Sequence, residues 1–182
     1  MQRYDDEAGP AQASAAPQFP ATMLALEWHG NKRVEVAARP RPAIAEVQDA
    51  IIRVTSTSIC GSDLHIYHNA VPGMHSGDVL GHECVGIVEE VGPQVQTLRP
   101  GDRVVVSSVI AEGHCHYCRE GLFALCEVTN PVEGGQQLYG HCSAGMVGYS
   151  HLTGRHDGAQ ASHIRIPYAD VNCLVVPAGL TD

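Results

Sequence analysis

The chain has 182 residues, which suits one ordinary domain with a hydrophobic core and leaves little room for a second. Hydrophobic residues make up 44% of the sequence and charged residues 17%, a composition typical of a globular protein. The formal net charge of −9 argues against nucleic acid and anionic membranes as partners, because both attract basic surfaces. No apolar run approaches the roughly 20 residues that a membrane span requires.

Residues 1–21 are rich in Ala, Pro, Gln and Ser, a composition that predicts a disordered leader. The segment carries Asp5, Asp6 and Glu7 and no apolar stretch, so it is neither a secretory signal nor an Arg-rich transit peptide. We therefore expect a cytoplasmic, reducing location. The seven cysteines then need an explanation other than disulfide bonds, and metal binding is the first one to consider.

After the leader, short segments alternate apolar residues with others, and Gly and Pro separate them. The predicted strands lie around residues 24–28, 34–36, 50–55, 85–91, 104–106, 164–166 and 174–176. Short helices are expected near 62–67 and 121–126, and residues 127–160 are expected to be rich in loops. The pattern predicts a mainly β domain, either a barrel or a sandwich.

The sequence lacks a dinucleotide-binding fingerprint. No GxGxxG segment follows a predicted strand, so a Rossmann domain is expected to be absent from these 182 residues. Thr181 and Asp182 at the end of the sequence would be good N-caps for a further helix. We therefore expect the chain to end at a domain boundary, as a truncated part of a longer protein.

The strongest local signal is a cysteine-rich lobe at about residues 112–126. Cys115 and Cys118 have C-x2-C spacing, and Cys126 follows after seven intervening residues. A structural zinc site takes four nitrogen or sulfur ligands, so three thiolates need a fourth partner. Glu112, three residues before Cys115, is the candidate. Its competitors for that role are the neighbouring histidines, His114 and His116.

Two other interpretations of the lobe remain open at this point, a redox-active pair at Cys115 and Cys118 or free thiols. A redox pair normally begins a helix beside a βαβ unit, and the sequence predicts no such unit, which favours the metal. The remaining cysteines, Cys84, Cys142 and Cys173, are expected to be packing residues or free thiols.

A second set of metal-binding residue types lies at two predicted strand ends. Cys60 follows the third strand, and His82 precedes the fourth. A thiolate and an imidazole are a reasonable pair for one zinc ion, and catalytic zinc sites take three protein ligands and leave one position open. Taken alone the pair is weak evidence, because a buried Cys is often a small apolar residue and a strand-end His is often structural.

The order of motifs along the chain resembles the zinc-containing medium-chain alcohol dehydrogenases over residues 22–182. The motifs are Cys60-Gly-Ser-Asp-Leu-His65, Gly81-His82-Glu83, Arg99-Pro-Gly-Asp-Arg-Val104 and then the lobe. The segments Pro72–Gly77 and Gly148–Gly154 are most similar to the branch that contains glutathione-independent formaldehyde dehydrogenase. The resemblance implies a GroES-like β-barrel and an NAD(P)-dependent oxidoreductase of small alcohols or aldehydes. An intact parent could form a homo-oligomer, but the sequence does not specify the oligomeric state.

The same resemblance assigns roles to individual residues. It implies that Cys60 and His82 bind the catalytic zinc, and that Glu83 is a neighbouring carboxylate that binds or tunes the ion. Ser62 matches the hydroxyl that passes the substrate proton outward, and His65 matches the histidine that receives it. Asp63 matches the residue that orients the zinc histidine. Glu112, Cys115, Cys118 and Cys126 match the structural zinc lobe.

The sequence departs from the family pattern at three places. Glu112 stands where the family usually has the first of four cysteines, and Ala159 replaces a glycine, which predicts strain if the turn needs a positive φ. The third catalytic zinc ligand and the nicotinamide-binding domain would lie beyond Asp182. We therefore expect this chain to be inactive alone. The alternative function is a non-catalytic barrel that binds zinc or a partner protein, which a natural stop after Asp182 would favour.

Overall fold

In the computed structural model, the described residues are 19–130, 137, 140–141 and 143–182. The predicted leader at residues 1–21 therefore lies outside the described residues, apart from its last three. Cys142, predicted to be a packing residue or a free thiol, also lies outside them. None of the helices in the described ranges has the length and apolar character needed to cross a bilayer.

The described residues form short strands and shorter helices. The strands are β1 Thr22–Trp28, β2 Val34–Pro40, β3 Ala50–Thr57, β4 Asp78–Val79, β5 Cys84–Val91, β6 Arg103–Val106, β7 Val109–Ile110, β8 Gly145–Met146, β9 His163–Ile166 and β10 Cys173–Val175. The helices are α1 Gly61–Tyr67, α2 His116–Arg119 and α3 Ala169–Asn172, and Phe123–Leu125 and His151–Thr153 form 3-10 turns.

The strands pair into a five-stranded sheet of order β10-β6-β5-β3-β9, a three-stranded sheet of order β2-β1-β4, and the small β7-β8 ladder. All of these strand pairings are antiparallel, so the described part of the chain holds no parallel Rossmann-type unit. The mainly β architecture predicted from the sequence is confirmed, as are all seven predicted strands. The predicted helix near 121–126 is a single 3-10 turn.

The main hydrophobic core lies against the five-stranded sheet. Its fully buried side chains include Ile52, Val104 and Ile164 from three different strands. A separate and much smaller cluster lies under the cysteine-rich lobe, where Ala111, Cys118, Cys126 and Ala144 are the buried residues. The lobe therefore has little apolar packing of its own.

Glycines allow the loop before β9 to pack directly against the segment that follows β4. A Cβ added to Gly148, which has φ +58°, would lie 2.1 Å from the carbonyl oxygen of Gly81. A Cβ added to Gly158 would lie 2.1 Å from the carbonyl oxygen of Leu80. Ala159 is fully buried and is absent from the residues with positive φ, so the strain predicted there is wrong. Gly148 and Gly158 instead allow the close approach of the two segments, because neither residue has a side chain.

Candidate metal centre

The pairing of β3 with β5 explains why Cys60 and His82 meet. Thr57, the last residue of β3, pairs with Cys84, the first residue of β5, so the chain leaves β3 and enters β5 at the same edge of the sheet. Single residues on opposite strands, Glu89 and Thr55, have no pairing partner in this ladder. Each of them is a one-residue bulge, and because the two bulges lie on opposite strands, they offset each other. The pairs at the Thr57 end of the ladder therefore have the same register as the pairs at the Ala50 end.

Cys60, His82 and Glu83 converge at that edge. One potential ligand atom from each residue lies within 4.8 Å of the others. The His82 side chain is only 9% exposed, whereas half of the Glu83 side chain is open to solvent. A thiol, an imidazole and a carboxylate are the donors that zinc takes in proteins. The structure therefore brings the predicted metal-binding residues together.

Asp63 connects the start of α1 to the histidine of this group. Its Oδ2 accepts the backbone N–H of Cys60 at 2.8 Å, which caps the helix. Its Oδ1 lies 3.8 Å from His82 Nδ1, and both atoms are buried without a hydrogen-bond partner among the described residues. The amide of Gln160, a residue that the sequence did not single out, lies 3.4 Å from Asp63 Oδ2.

This arrangement fits a bound metal ion. Two buried polar atoms without partners are costly, and here they face each other across His82 Nδ1 and Asp63 Oδ1. A histidine that binds a metal through one nitrogen usually donates the other N–H to a carboxylate. The other ring nitrogen, His82 Nε2, lies on the side of Glu83, 3.9 Å from its Oε1, and 3.1 Å from the Ser62 hydroxyl.

Glu83 is held by the segment between β3 and α1. The Ser58 hydroxyl donates to its carboxylate, and this hydrogen bond is the main cause that lowers the pKa of Glu83, with smaller contributions from His82 and Cys60. The Thr57 hydroxyl donates to the Glu83 carbonyl at 2.9 Å. Glu83 is thus an anionic donor beside the thiol and the imidazole. Nothing in the sequence pointed to Ser58, because a lone serine carries no pattern.

Ser62 and His65 occupy different environments on α1. The Ser62 hydroxyl lies 3.1 Å from His82 Nε2 and 3.3 Å from Cys60 Sγ, between the two candidate ligands. His65 lies on the exposed side of the helix, outside the converging group. The structure therefore brings Ser62 and Asp63 to the centre, while His65 stays at the solvent boundary.

A cavity opens beside the group. It has a volume of about 400 Å³ and is lined by His82, Glu83 and the adjacent strands β5 and β6, including Val85, Val105 and Val106. Ser108 adds a hydroxyl to the same lining. A mostly apolar cleft with a few polar groups at one end is the usual form of a small-molecule site.

The lobe forms a second converging group. Ligand atoms of Glu112, Cys115, Cys118 and Cys126 all lie within 4.8 Å of one another. His114 and His116, the competing candidates, are not part of the group. The Glu112 carboxylate accepts the backbone N–H groups of His114 and Cys115, which fixes the turn before α2.

The thiols of the lobe ionise differently. Burial raises the pKa of Cys118 to about 11. Burial also opposes ionisation of Cys126, but hydrogen bonds from the backbone of Glu112, Val128 and Thr129 together lower its pKa below the ordinary value. A metal ion binds the thiolate form of cysteine. Its binding would therefore have to displace the proton that burial retains on the Cys118 thiol.

The other described cysteines have the environment of packing residues. Cys84 and Cys173 are buried in the main core, and burial raises the pKa of each thiol to about 12. Neither belongs to a converging group of metal-ligand residue types. The six described cysteines are all free, so the structure contains no disulfide among them.

Known proteins resemble the chain across the region that carries both groups. The sequence model of the alcohol dehydrogenase GroES-like domain matches residues 46–177. A zinc-type alcohol dehydrogenase-like protein of Schizosaccharomyces pombe is 40% identical over 163 residues, covering 89% of this chain and 38% of that protein. Glutathione-independent formaldehyde dehydrogenase of Pseudomonas aeruginosa is 38% identical over 154 residues, covering 81% of this chain and 36% of that protein.

Solved structures agree with the sequence comparison. Alcohol dehydrogenase TADH from Thermus sp. ATN1 matches with a TM-score of 0.76 at 40% identity, and the match covers 87% of this chain and 41% of that structure. The chain therefore belongs to the zinc-containing medium-chain alcohol dehydrogenase family, as its GroES-like domain. It spans about two fifths of the length of these relatives.

Proposed function

We propose that this chain is the zinc-binding catalytic domain of an NAD(P)-dependent oxidoreductase that acts on small alcohols or aldehydes. One observation supports the proposal above the others, the convergence of Cys60, His82 and Glu83 within 4.8 Å beside a cavity of about 400 Å³. Soft sulfur and imidazole donors suit zinc better than magnesium or calcium, which prefer oxygen.

Cys60 and His82 would hold the catalytic zinc, and Glu83 would bind it or tune it from beside the site. Zinc supplies Lewis acidity, which polarises an alcohol or carbonyl oxygen and favours loss of the alcohol proton. The lining from Val85, Val105 and Val106 excludes water from one side of the cleft. Asp63 acts as a positioning residue, because its Oδ1 faces the second nitrogen of His82.

Ser62 and His65 would move the proton. Oxidation of an alcohol releases one proton from the hydroxyl and one hydride from the carbon. The Ser62 hydroxyl, 3.1 Å from His82 Nε2, is close enough to the candidate ligands to accept the hydroxyl proton. His65, three residues further along α1 and exposed, would pass that proton to solvent.

The hydride acceptor would be NAD(P), held outside the residues described here. Hydride transfer requires the nicotinamide to be positioned against the reacting carbon, and the sequence contains no GxGxxG fingerprint that would hold it. We propose that the 182-residue chain alone binds zinc but does not reduce NAD(P). Measurable alcohol-dependent reduction of NAD(P) by the isolated chain would contradict this part of the proposal. The cytoplasmic location also stays a prediction.

Zinc stoichiometry tests the proposed centre directly. We expect the chain to bind about two zinc ions at saturation, tightly at the lobe and more weakly at Cys60 and His82, because a catalytic site normally has three protein ligands. Cys60→Ala should reduce the content to about one ion, measured by elemental analysis after dialysis against a defined zinc buffer. Cys173→Ala, at a buried cysteine outside both converging groups, is the matched control and should leave the content unchanged. Equal zinc content in wild type and Cys60→Ala would refute the site.

Asp63→Asn tests the positioning role. Asn retains an oxygen that can accept the Cys60 N–H, so the cap of α1 is kept while the negative charge facing His82 Nδ1 is lost. We expect the zinc affinity of the weaker site to fall by about 10- to 100-fold. Competition with a chelator of known affinity measures this change. Asp170→Asn, at a carboxylate that binds the backbone N–H groups of Gln96 and Thr97 and belongs to neither converging group, should leave that affinity unaltered.

A further inference from the structure

Strand β2 forms an outer edge of its sheet. In the described part of the chain it pairs with β1 alone, since the strand order is β2-β1-β4. Most residues of β2 are exposed, among them Val36, whose exposed fraction is 64%. An edge with free backbone groups and apolar side chains is a template for another strand unless something blocks it.

The hydrogen bonds at both ends of the β1–β2 ladder show which groups of β2 point outward. The Arg41 N–H donates to the Ala21 carbonyl at 3.0 Å, and the His29 N–H donates to the Arg33 carbonyl at 2.9 Å. Antiparallel pairs alternate between bonded and non-bonded, so odd-numbered residues of β2 bond toward β1. The N–H groups of Val34, Val36 and Ala38 therefore point outward.

We propose that two copies of this chain associate through β2, antiparallel across a twofold axis at Ala37. This register places Val36 opposite Ala38 and Val34 opposite Pro40 of the second copy, so that outward N–H groups meet outward carbonyls. Pro40 has no N–H, but it pairs at the end of the seven-residue strand, where a proline is tolerated. Two three-stranded sheets would join into one.

Charge decides between this register and its neighbours. With the axis at Ala37, Glu35 lies opposite Arg39 of the second copy, and the pair occurs twice. Arg39 NH1 is bonded to Glu27 at 2.8 Å, and its NH2 makes no hydrogen bond among the described residues. With the axis at Val36, Arg33 would lie opposite Arg39, and with the axis at Glu35 two like charges would meet. An axis at Ala38 would place Glu35 opposite Arg41, but the Arg41 side chain is only 8% exposed and already binds Glu89 and Glu90. Of these four registers, the one at Ala37 alone opposes unlike charges that are both accessible.

The side chains on the two faces of the joined sheet are also compatible. Val34 and Val36 lie on the face that carries Leu24, which is 57% exposed. In the proposed register these apolar side chains meet Ala38 and Pro40, which are apolar as well. Glu35 and Arg39 lie on the opposite face with Ala37, whose small side chain suits the axis. Each face therefore meets a matching face.

The size of the contact sets its expected strength. One strand of seven residues and its neighbours bury less area than a standard protein interface of about 1,600 Å². The association is therefore weak and depends on concentration. Sedimentation velocity over a range of concentrations, with zinc-loaded full chain, should show a monomer that shifts to a dimer as concentration rises.

Charge reversal tests the register. Glu35→Arg places like charges opposite each other twice and should raise the dissociation constant about tenfold or more. Glu46→Arg makes the same charge change at an exposed residue outside β2 and should dimerise like wild type. Thermal melting confirms that both variants stay folded. A chain that remains monomeric at its solubility limit, or a dimer that Glu35→Arg leaves intact, would overturn the proposal.

A cysteine cross-link tests the axis independently. Ala37→Cys would place two thiols opposite each other in a non-bonded antiparallel pair, where Cβ atoms lie about 4.5–5.5 Å apart. Mild oxidation should then give a covalent dimer, seen as a doubled mass on a denaturing gel without reductant. Ala38→Cys is the control, because its counterpart lies two residues away along the second strand. Equal cross-linking of both variants would contradict an axis at Ala37.

Discussion

Substituting Gly148 with alanine is expected to destabilise the chain by roughly 3–5 kcal/mol. Two costs combine at this position. The backbone has φ +58°, where a side chain is unfavourable, and the new Cβ would lie 2.1 Å from the Gly81 carbonyl oxygen, closer than atoms can approach. Because Gly81 directly precedes His82, the backbone shift should also weaken the zinc site at Cys60 and His82. Urea denaturation measures the first effect and chelator competition the second.

Gly101→Ala separates these two costs. Gly101 also has a positive φ, +98°, but an added Cβ would meet nothing within 4 Å. Only the conformational cost of about 1–2 kcal/mol should appear, with zinc affinity unchanged. If Gly148→Ala and Gly101→Ala lose the same free energy of unfolding, the close approach to Gly81 has no energetic weight and the explanation fails.

Removing the metal from the lobe should have the other large effect. The lobe has only four buried residues in its cluster, and two of them, Cys118 and Cys126, are themselves candidate ligands. With so little apolar packing, zinc bound at the proposed site would supply much of the free energy that keeps the lobe folded. Cys118→Ser should abolish tight zinc binding and unfold residues around 112–126, measured as one zinc ion lost and as increased backbone hydrogen exchange there.

Cys173→Ser is the control for this experiment. Cys173 is a buried cysteine of the main core outside both converging groups, so its replacement should cost packing energy while the zinc content stays the same. A chelator strong enough to remove the lobe zinc from the wild type should reproduce the exchange pattern of Cys118→Ser. Unchanged exchange in the lobe after zinc removal would show that the segment folds without metal.

The sequence predicted the strands well because their signal is local. Alternation marks β1, β3 and β5 over five or more residues, which is enough for a period of two to be recognised. It missed β4, β7 and β8, which have two residues each, and α2 and α3, which have four. A periodic pattern cannot show in so few residues, so these elements depend on tertiary contacts.

The candidate site could be predicted only in part. Spacing alone indicated the lobe, and the structure groups Glu112 with its three cysteines as expected. Cys60 and His82 are 22 positions apart, so their meeting depends on the register of β3 and β5, which no local pattern specifies. The supporting contacts of Ser58 and Gln160 were not predicted for the same reason. Strain at Ala159 was predicted wrongly, because its φ is not positive; the neighbouring position that must be a glycine is Gly158, which leaves no space for a Cβ beside the Leu80 carbonyl.

The paired bulges in β3 and β5 limit how the length of this region can change. Glu89 adds one residue to β5 and Thr55 adds one to β3, so each offset undoes the other before the strands reach the site. Deleting Thr55 alone would leave Val54 opposite Gly86 and Ser56 opposite Val85, so Cys60 would keep its position relative to His82, whereas deleting a paired residue of β3 would displace Cys60 by about 3.3 Å. The same holds for Glu89, whose loss would leave Ile51 opposite Glu90 and Ile52 opposite Val88. Natural variation in strand length should therefore concentrate at Thr55 and Glu89, because each can be lost without moving a pair of the ladder that sets the site.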